Sequence, residues 1–535
     1  MNRYELQVYR QLIEQIDTGA IHIKDSIRYR PFAEDLVSLN RKEEALKTLD
    51  IPWLKTPCVD QIDSLFKELD TLWSTFDARL KQGSLKHIKY NPVKEEITWV
   101  KPKEIREAQQ ESLYSKLPMR DLSEVLRFVN HQTNFMAAFS PLQPRYVKQK
   151  YDVDHLIAVL MSNASNIGHY KMAKISDIPY HKLESTYQQY MRLSTLREAN
   201  VIIANKIAQL PIFPHYTFDE DTLFGSLDGQ KFEALTPTAK ARNSKKYFKK
   251  GRGVVAYTFL SNHVPIMNEL IGAHDHESYF SFDLWYGNTS IIQPMVVTSD
   301  MHGISKANFA LFHWFAGDFR PRFANLKSEL KKVCGANDTS TYNSFWVKPT
   351  KTIDRQLILD EKENIDHIIA TLALKEISQS VLIQKLCALP QNNATRNAIF
   401  EYDKLIRSIY TLKCILDPTI LENVQRSQNR VESYHGLRAA IAKVTGRKAL
   451  LGQTDLEMEI SNECGRLIAN AIIYYNASIQ SSLLERSPKS KKMLKFLKKS
   501  SPVAWCHIHF TGHFVFYSDK ESIDIEDIIE NVLIE

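Results

Sequence analysis

Cysteine is scarce in this sequence, and its few residues are scattered. The six, at 58, 334, 387, 414, 464 and 506, form no C-x-x-C pair. In a chain of this size that argues against a disulfide framework or a zinc ribbon and points to reduced, cytosolic thiols. Long apolar runs are also missing: none approaches the roughly 20 residues that cross a bilayer. The opening stretch MNRYELQVYRQLIEQI carries charges throughout, so it reads as an amphipathic helix and not a signal peptide. No membrane partner is therefore expected. Internal repeats and low-complexity tracts are absent as well, which excludes solenoids and extended disorder.

What is present is ordinary in bulk and uneven in detail. Apolar residues make up 44% and charged residues 24% of the 535, close to globular averages. The length suits three or four domains at about 150 residues each. The formal charge of +7 from 69 basic and 62 acidic residues is mild, but the basic residues clump at Lys240 to Arg252 and Lys489 to Lys499, while the C-terminal tail is acidic. Clumped positive charge favours a polyanion such as nucleic acid.

The periodicities predict an α+β, mainly helical chain. Residues 1–210 read as helical, with Tyr4, Val8, Leu12 and Ile16 at helical spacing and a small hairpin within 86–100. Helices are expected over Leu122 to Phe135, Asp152 to Ala173 and His181 to Leu210. After Pro211 the texture changes. Residues 211–325 read as strands followed by strand–helix–strand, with VVAYTFLSNH, a strand from Val264, the run ending at Asp300, a helix from Ser305 to Phe315, and FRPRF. Residues 326–425 read as a helical insertion. Residues 426–485 carry a helix from Asn429 to Val444 and an apolar helix from Asp455, and 486–535 form a C-terminal tail.

Three acids stand out by context. Asp228 lies where coil enters the strand region, Asp300 ends a buried β-branched run, and Glu432 lies on a helix beyond the insertion. Asp300 reads equally as a helix cap or as a ligand-binding acid at the carboxyl end of a strand. Glu432 alone reads as an exposed helix acid. Two Asp from strands and a later Glu also match the carboxylate cage of a ribonuclease-H-like nucleotidyl transferase, which suits hard divalent ions. Lys245, Lys246, Lys249, Lys250 and Arg252 surround Tyr247 and Phe248, a pattern that suits DNA phosphates as well as a solvated loop. Arg320 and Arg322 flank Pro321, and phosphate contact and structural pairing weigh equally there. His435 lies one turn from Glu432 on the same helix face, where phosphate or proton handling and a packing role weigh equally. The clusters at His274–His276 and His507–His513 fall short of the four well-spaced ligands of a zinc site.

The local words around these acids resemble the transposases of the Tn-three family, the replicative class II transposons of bacteria. They are SLDGQKF at Asp228, GRGVVAYTFLS at 251–261, TSDMHG at Asp300, FRPRF at 319–323 and NRVESYHGLRAAI at Glu432. AVLMSNASNIGHYKMA at 158–173 and SPVAWCHIHFTGHFVF near the end add to them. The resemblance implies a ribonuclease-H-like catalytic core of DDE type, with Asp228, Asp300 and Glu432 holding two Mg²⁺ ions (Mn²⁺ can substitute). It implies nicking of transposon 3′ ends and strand transfer into target DNA. The implied partners are double-stranded terminal inverted repeats, target DNA and a second copy of the chain, in the bacterial cytoplasm at the nucleoid. Phosphate contacts are expected from the basic residues already named and from Arg430 and His435. The family word GESRH stands here as Val431-Glu432-Ser433-Tyr434-His435, with Tyr434 in place of Arg. Family members are also longer, with N-terminal domains that read the transposon ends, and this chain is expected to begin after them. The alternative reading is a catalytically incompetent DNA-binding remnant that interferes with a full-length transposase.

Overall fold

The computed structural model describes residues 2–17, 20–26, 29–91, 93, 96–100, 113–143, 151–218, 222–249, 251–376, 379–488, 490–517 and 523–534. The chain is α+β and mainly helical. It divides into two compact units, one of residues 1–105, 276–286 and 295–425, the other of residues 106–275, 287–294 and 426–535. The chain therefore passes between the units five times.

The second unit is organised around the helix Asp455–Arg486. A capping box starts it: Thr454 Oγ1 accepts from Glu457 N at 3.2 Å, and Glu457 Oε2 accepts from Thr454 N at 3.3 Å, which satisfies two of the orphan donors of the first turn. Met458 to Leu483 is buried almost without a break. A helix buried on all sides belongs in the centre of a core, and this one packs against the helices Val153–Ala164, Leu193–Ala208 and Leu122–Thr133 and the strand Val264–Gly272. Two of these neighbours differ from their expected extents. The helix expected over Asp152 to Ala173 stops at Ala164 and resumes at His169–Lys174, because Asn166 and Gly168 take positive φ of 59° and 73°. The helix expected from His181 to Leu210 is two, Tyr180–Tyr190 and Leu193–Ala208. Thr195 Oγ1 donates to Tyr190 O at 2.9 Å and accepts from Arg192 N at 3.3 Å, which holds the break.

The sheet of this unit pairs Phe224–Ala234 antiparallel with Arg252–Ser261, and that strand antiparallel with Val264–Gly272. The hairpin closes through Asn262 and His263 at φ 45° and 70°, the left-handed pair that matches strand twist. Ala449–Leu450 adds in parallel beside Glu233–Ala234. Asp228 does not sit where coil enters the sheet, as expected. It lies in the middle of an eleven-residue strand.

In the first unit, Cys58–Lys81 packs along Ala394–Leu416, and the hairpin of 86–100 pairs Ile88–Asn91 with Glu96–Trp99. The strand Val296–Ser299 is buried throughout and pairs in parallel with Asp318–Phe319. Arg320 N and Arg322 N continue the ladder to Val297 O and Ser299 O at 2.8 Å each. The helix expected from Ser305 to Phe315 is shorter, Asn308–Trp314. The helix expected to begin at Asn429 begins at Pro418 and runs to Ala442, through the passage at 425/426. Proline is well suited to a first helical turn.

Candidate active site

The strand Phe224–Ala234 determines what meets the Glu432 helix. Alternate residues of a strand share one face, so Ser226, Asp228, Gln230, Phe232 and Ala234 lie together. At one end of that face Phe232 and Ala234 join Ala442, Leu450 and Met458 in an apolar cluster. At the other end the same face is polar. Ser226 Oγ is hydrogen-bonded to Ser427 Oγ, and Gln230 Nε2 donates to His435 O at 2.6 Å. Between them Asp228 Oδ2 lies 3.7 Å from His435 Nδ1. Glu432 and His435 are one helical turn apart and share a side. Asp228, Glu432 and His435 each offer a ligand atom, and these atoms lie within 4.8 Å of one another.

Burial differs sharply within the trio. Glu432 is exposed and Asp228 half-buried, while His435 is 8% exposed. Burial pushes the His435 imidazole down to about 3, with Lys448 and Arg438 adding to the effect. It is therefore neutral, and its Nε2 is buried without a hydrogen-bond partner. A neutral imidazole is a competent metal ligand. Burial also pushes Lys448 down to about 8, helped by Lys443, Arg438 and Lys231 and opposed by Glu432. Two carboxylates with one facing water are the hard, partly open oxygen set that Mg²⁺ and Mn²⁺ prefer, and the imidazole suits Mn²⁺ better. The residues present fit such an ion.

Asp300 belongs to the first unit. It ends the strand Val296–Ser299, and its Oδ1 accepts from Gly303 N at 3.2 Å, so it caps the one-turn helix Met301–Gly303. Its carboxylate also comes within 4.8 Å of that of Glu277, on the one-turn helix Glu277–Tyr279. Glu277 was not anticipated. Glu277, two residues after Asp275 in HDHESYF, has no periodic cue, and only tertiary placement reveals it.

The candidate phosphate contacts separate by exposure. Lys245, Lys246 and Lys249 are exposed around the one-turn helix Lys245–Phe248. Lys231 and Lys246 lie 4.0 and 4.7 Å from the Tyr247 ring. Arg252 is half-buried at the start of its strand, and Lys250 lies outside the described residues. Arg320 and Arg322 are half-buried, with Arg320 paired to Asp318 at 2.6 Å. Arg430 is buried, 3.9 Å from the Phe218 ring, and donates to Asn262 Oδ1 at 3.2 Å. Arg430 and His435 thus face inward, where a phosphate does not reach them without rearrangement. Tyr434, which stands where the family word has Arg, is 1% exposed and lies in the core.

Three buried histidines make the second unit acid-sensitive. Burial holds His507 down at about 4, and burial together with Arg430 holds His263 well below the ordinary value. Unfolded, each accepts a proton near pH 6.5, and folded it does not. Stability is full above about pH 6.5 and falls as pH drops toward the folded values, by roughly 2 kcal/mol each for His435 and His507 at pH 5. Thermal denaturation from pH 8 to 5 should be flat and then decline, and His507→Asn should decline less.

The model of the Tn3 transposase DDE domain matches residues 124–514, well over half of the chain. The transposase of transposon Tn1546 from Enterococcus faecium is 23% identical, over 97% of this chain and 52% of its own length. The transposase of transposon gamma-delta from Escherichia coli (strain K12) is 24% identical, over 75% and 40%. That of Tn501 from Pseudomonas aeruginosa is 22% identical, over 98% and 53%. The chain spans about half the length of the curated relatives it matches. With a family match of this extent, the chain belongs to the family of the Tn3 transposase DDE domain.

Proposed function

We propose that the chain carries the catalytic region of a replicative DNA transposase: divalent-ion-dependent nicking of transposon 3′ ends, then strand transfer into target DNA. In this reading the sheet and its flanking helices form a ribonuclease-H-like core, and Asp228, Asp300 and Glu432 hold two Mg²⁺ ions. Bound there, the ions supply Lewis-acid activation of the attacking oxygen and stabilisation of the leaving one. Asp228 and Glu432 provide hard negative oxygens, and the neutral His435 behind them keeps its ring in place through the tie from Gln230 to its backbone. The exposed Lys245, Lys246 and Lys249 neutralise backbone phosphates. Double-stranded transposon ends and target DNA, a second copy of the chain, and action at the bacterial nucleoid belong to the same reading. The observation that carries it is the polar end of the Asp228 strand face, where strand and helix bring two acids and an imidazole together inside the segment matched by the family model.

The test is a strand-transfer assay with pre-nicked transposon ends in Mg²⁺ or Mn²⁺, comparing the wild type with Asp300→Ala. Joined product from the wild type only is the expected result. If both proteins bind DNA and both are inert, the chain is an interfering remnant.

A further inference from the structure

The first unit contains a cavity of about 600 Å³ beside the helix Ala394–Leu416. Seven basic side chains line it against two acidic ones, Glu329 and Asp403. Both acids are already engaged. Glu329 is paired with Arg407 and, at 2.8 Å, with Lys332. Asp403 accepts from Phe309 N at 2.8 Å and Ala310 N at 3.3 Å, and burial pushes its carboxyl up to about 7, so it offsets only part of one positive charge. Among the described residues no carboxylate pairs with Lys306, Lys331, Lys351 or Arg396. The Nε–H groups of Arg396 and Arg407 are shielded from solvent and have no acceptor. Those two atoms lie behind the cavity wall; what calls for an anion with several oxygens is the set of lining cations without a carboxylate partner among the described residues, Lys306, Lys331, Lys351 and Arg396.

Size and charge narrow the class. The volume is that of a small-molecule site and too small for a duplex. The surplus of positive charge exceeds the single charge of a phosphodiester and suits a phosphoryl group carrying two or more. The Phe400 ring is only 9% exposed and carries Arg396 at 4.5 Å, so it offers little open face to a base. We propose that this cavity binds the phosphomonoester or polyphosphate group of a nucleotide, either free or at the 5′ end of a DNA strand, with no preference for the base. None of the acids assigned to the ions takes part, so the site stands apart from the proposed catalytic chemistry.

Calorimetry on the full chain in EDTA, with pyrophosphate, ATP and GTP as probes, tests this without any divalent ion. All three should bind, ATP and GTP alike. Lys351→Glu, at an exposed position, and Arg396→Gln should each weaken binding about tenfold or more, as loss of a charge-assisted contact implies. Lys498→Glu, outside the cavity, should leave it unchanged, and melting curves confirm that the variants are folded. Single-stranded oligonucleotides with a 5′-phosphate or a 5′-hydroxyl separate the two sources. Tighter binding of the phosphorylated strand, lost in Lys351→Glu, identifies a DNA end; no gain from the 5′-phosphate alongside ATP binding identifies a free nucleotide. Failure of pyrophosphate to bind at millimolar concentration, or binding unaffected by both Lys351→Glu and Arg396→Gln, overturns the assignment.

Discussion

Glu432→Ala and Asp228→Ala, each made alone, are expected to reduce strand transfer by at least about a thousandfold while leaving the fold intact. Loss of a group that only orients a metal ligand typically costs 10–100-fold. Loss of a ligand itself, in a reaction that depends on the ions for both oxygens, should exceed that. The fold should tolerate the changes because Glu432 is exposed. Asp228 is half-buried, and the ties on either side of it, Ser226 to Ser427 and Gln230 to His435, do not involve its side chain. His435→Asn should fall in the milder range. Joined product from pre-nicked ends and Mn²⁺ affinity should fall together in the two acid variants, with melting temperatures near that of the wild type. If Glu432→Ala joined ends at the wild-type rate, the helix acid would be a solvated surface charge and the proposed cage would be wrong.

The largest loss of stability is expected from Glu463→Ala in the central helix. Glu463 and Arg466 are 2% and 1% exposed. Glu463 Oε2 accepts from Arg466 Nε at 2.9 Å and Nη2 at 2.7 Å, and from Asn200 Nδ2 at 3.1 Å. The remaining guanidinium nitrogen donates to Ile266 O at 3.0 Å. Removing the carboxylate strands a buried cation among carbonyls, which costs about 3–5 kcal/mol. Glu463→Gln keeps an acceptor and should cost less. Replacing both residues with Met should recover much of the loss, because a well-packed apolar pair can match a buried ion pair. Urea denaturation measures all three. A loss below about 1 kcal/mol in Glu463→Ala would mean that solvent reaches the stranded Arg466 guanidinium and compensates its charge.

How legible each part was in the sequence depended on whether its signal was local. The strand before Asp300 was readable because Val296, Val297 and Thr298 are contiguous, β-branched and buried on both faces. The Asp228 strand is hard to read for the opposite reason. Its inward face carries Ser226, Asp228 and Gln230, so the polar residues that usually mark solvent there mark the contact with a helix. The start of the Glu432 helix is poorly marked because Pro418 to Gln428 is polar and weakly patterned, and only the proline signals it. Glu432 itself was singled out by its neighbouring words, whereas Glu277 has none and is found only by proximity to Asp300. The pattern beside Glu432 suggests phosphate contacts at Arg430 and His435, but the helix turns both inward, toward Phe218 and Asn262 in one case and Asp228 in the other.

The interleaving of the two units has a consequence during synthesis. The strand Val264–Gly272 is covered by the helix Asp455–Arg486, which leaves the ribosome only after nearly two hundred further residues. At bacterial and eukaryotic elongation rates that delay is on the order of 10–40 s. Throughout it, Ile266, Leu270 and Ile271, each nearly fully buried in the finished protein, lack the helix that later shields their strand. A nascent chain in this state is a natural client for chaperones, and truncated chains or proteolytic products ending before residue 486 should aggregate even though they contain Asp228 and Asp300.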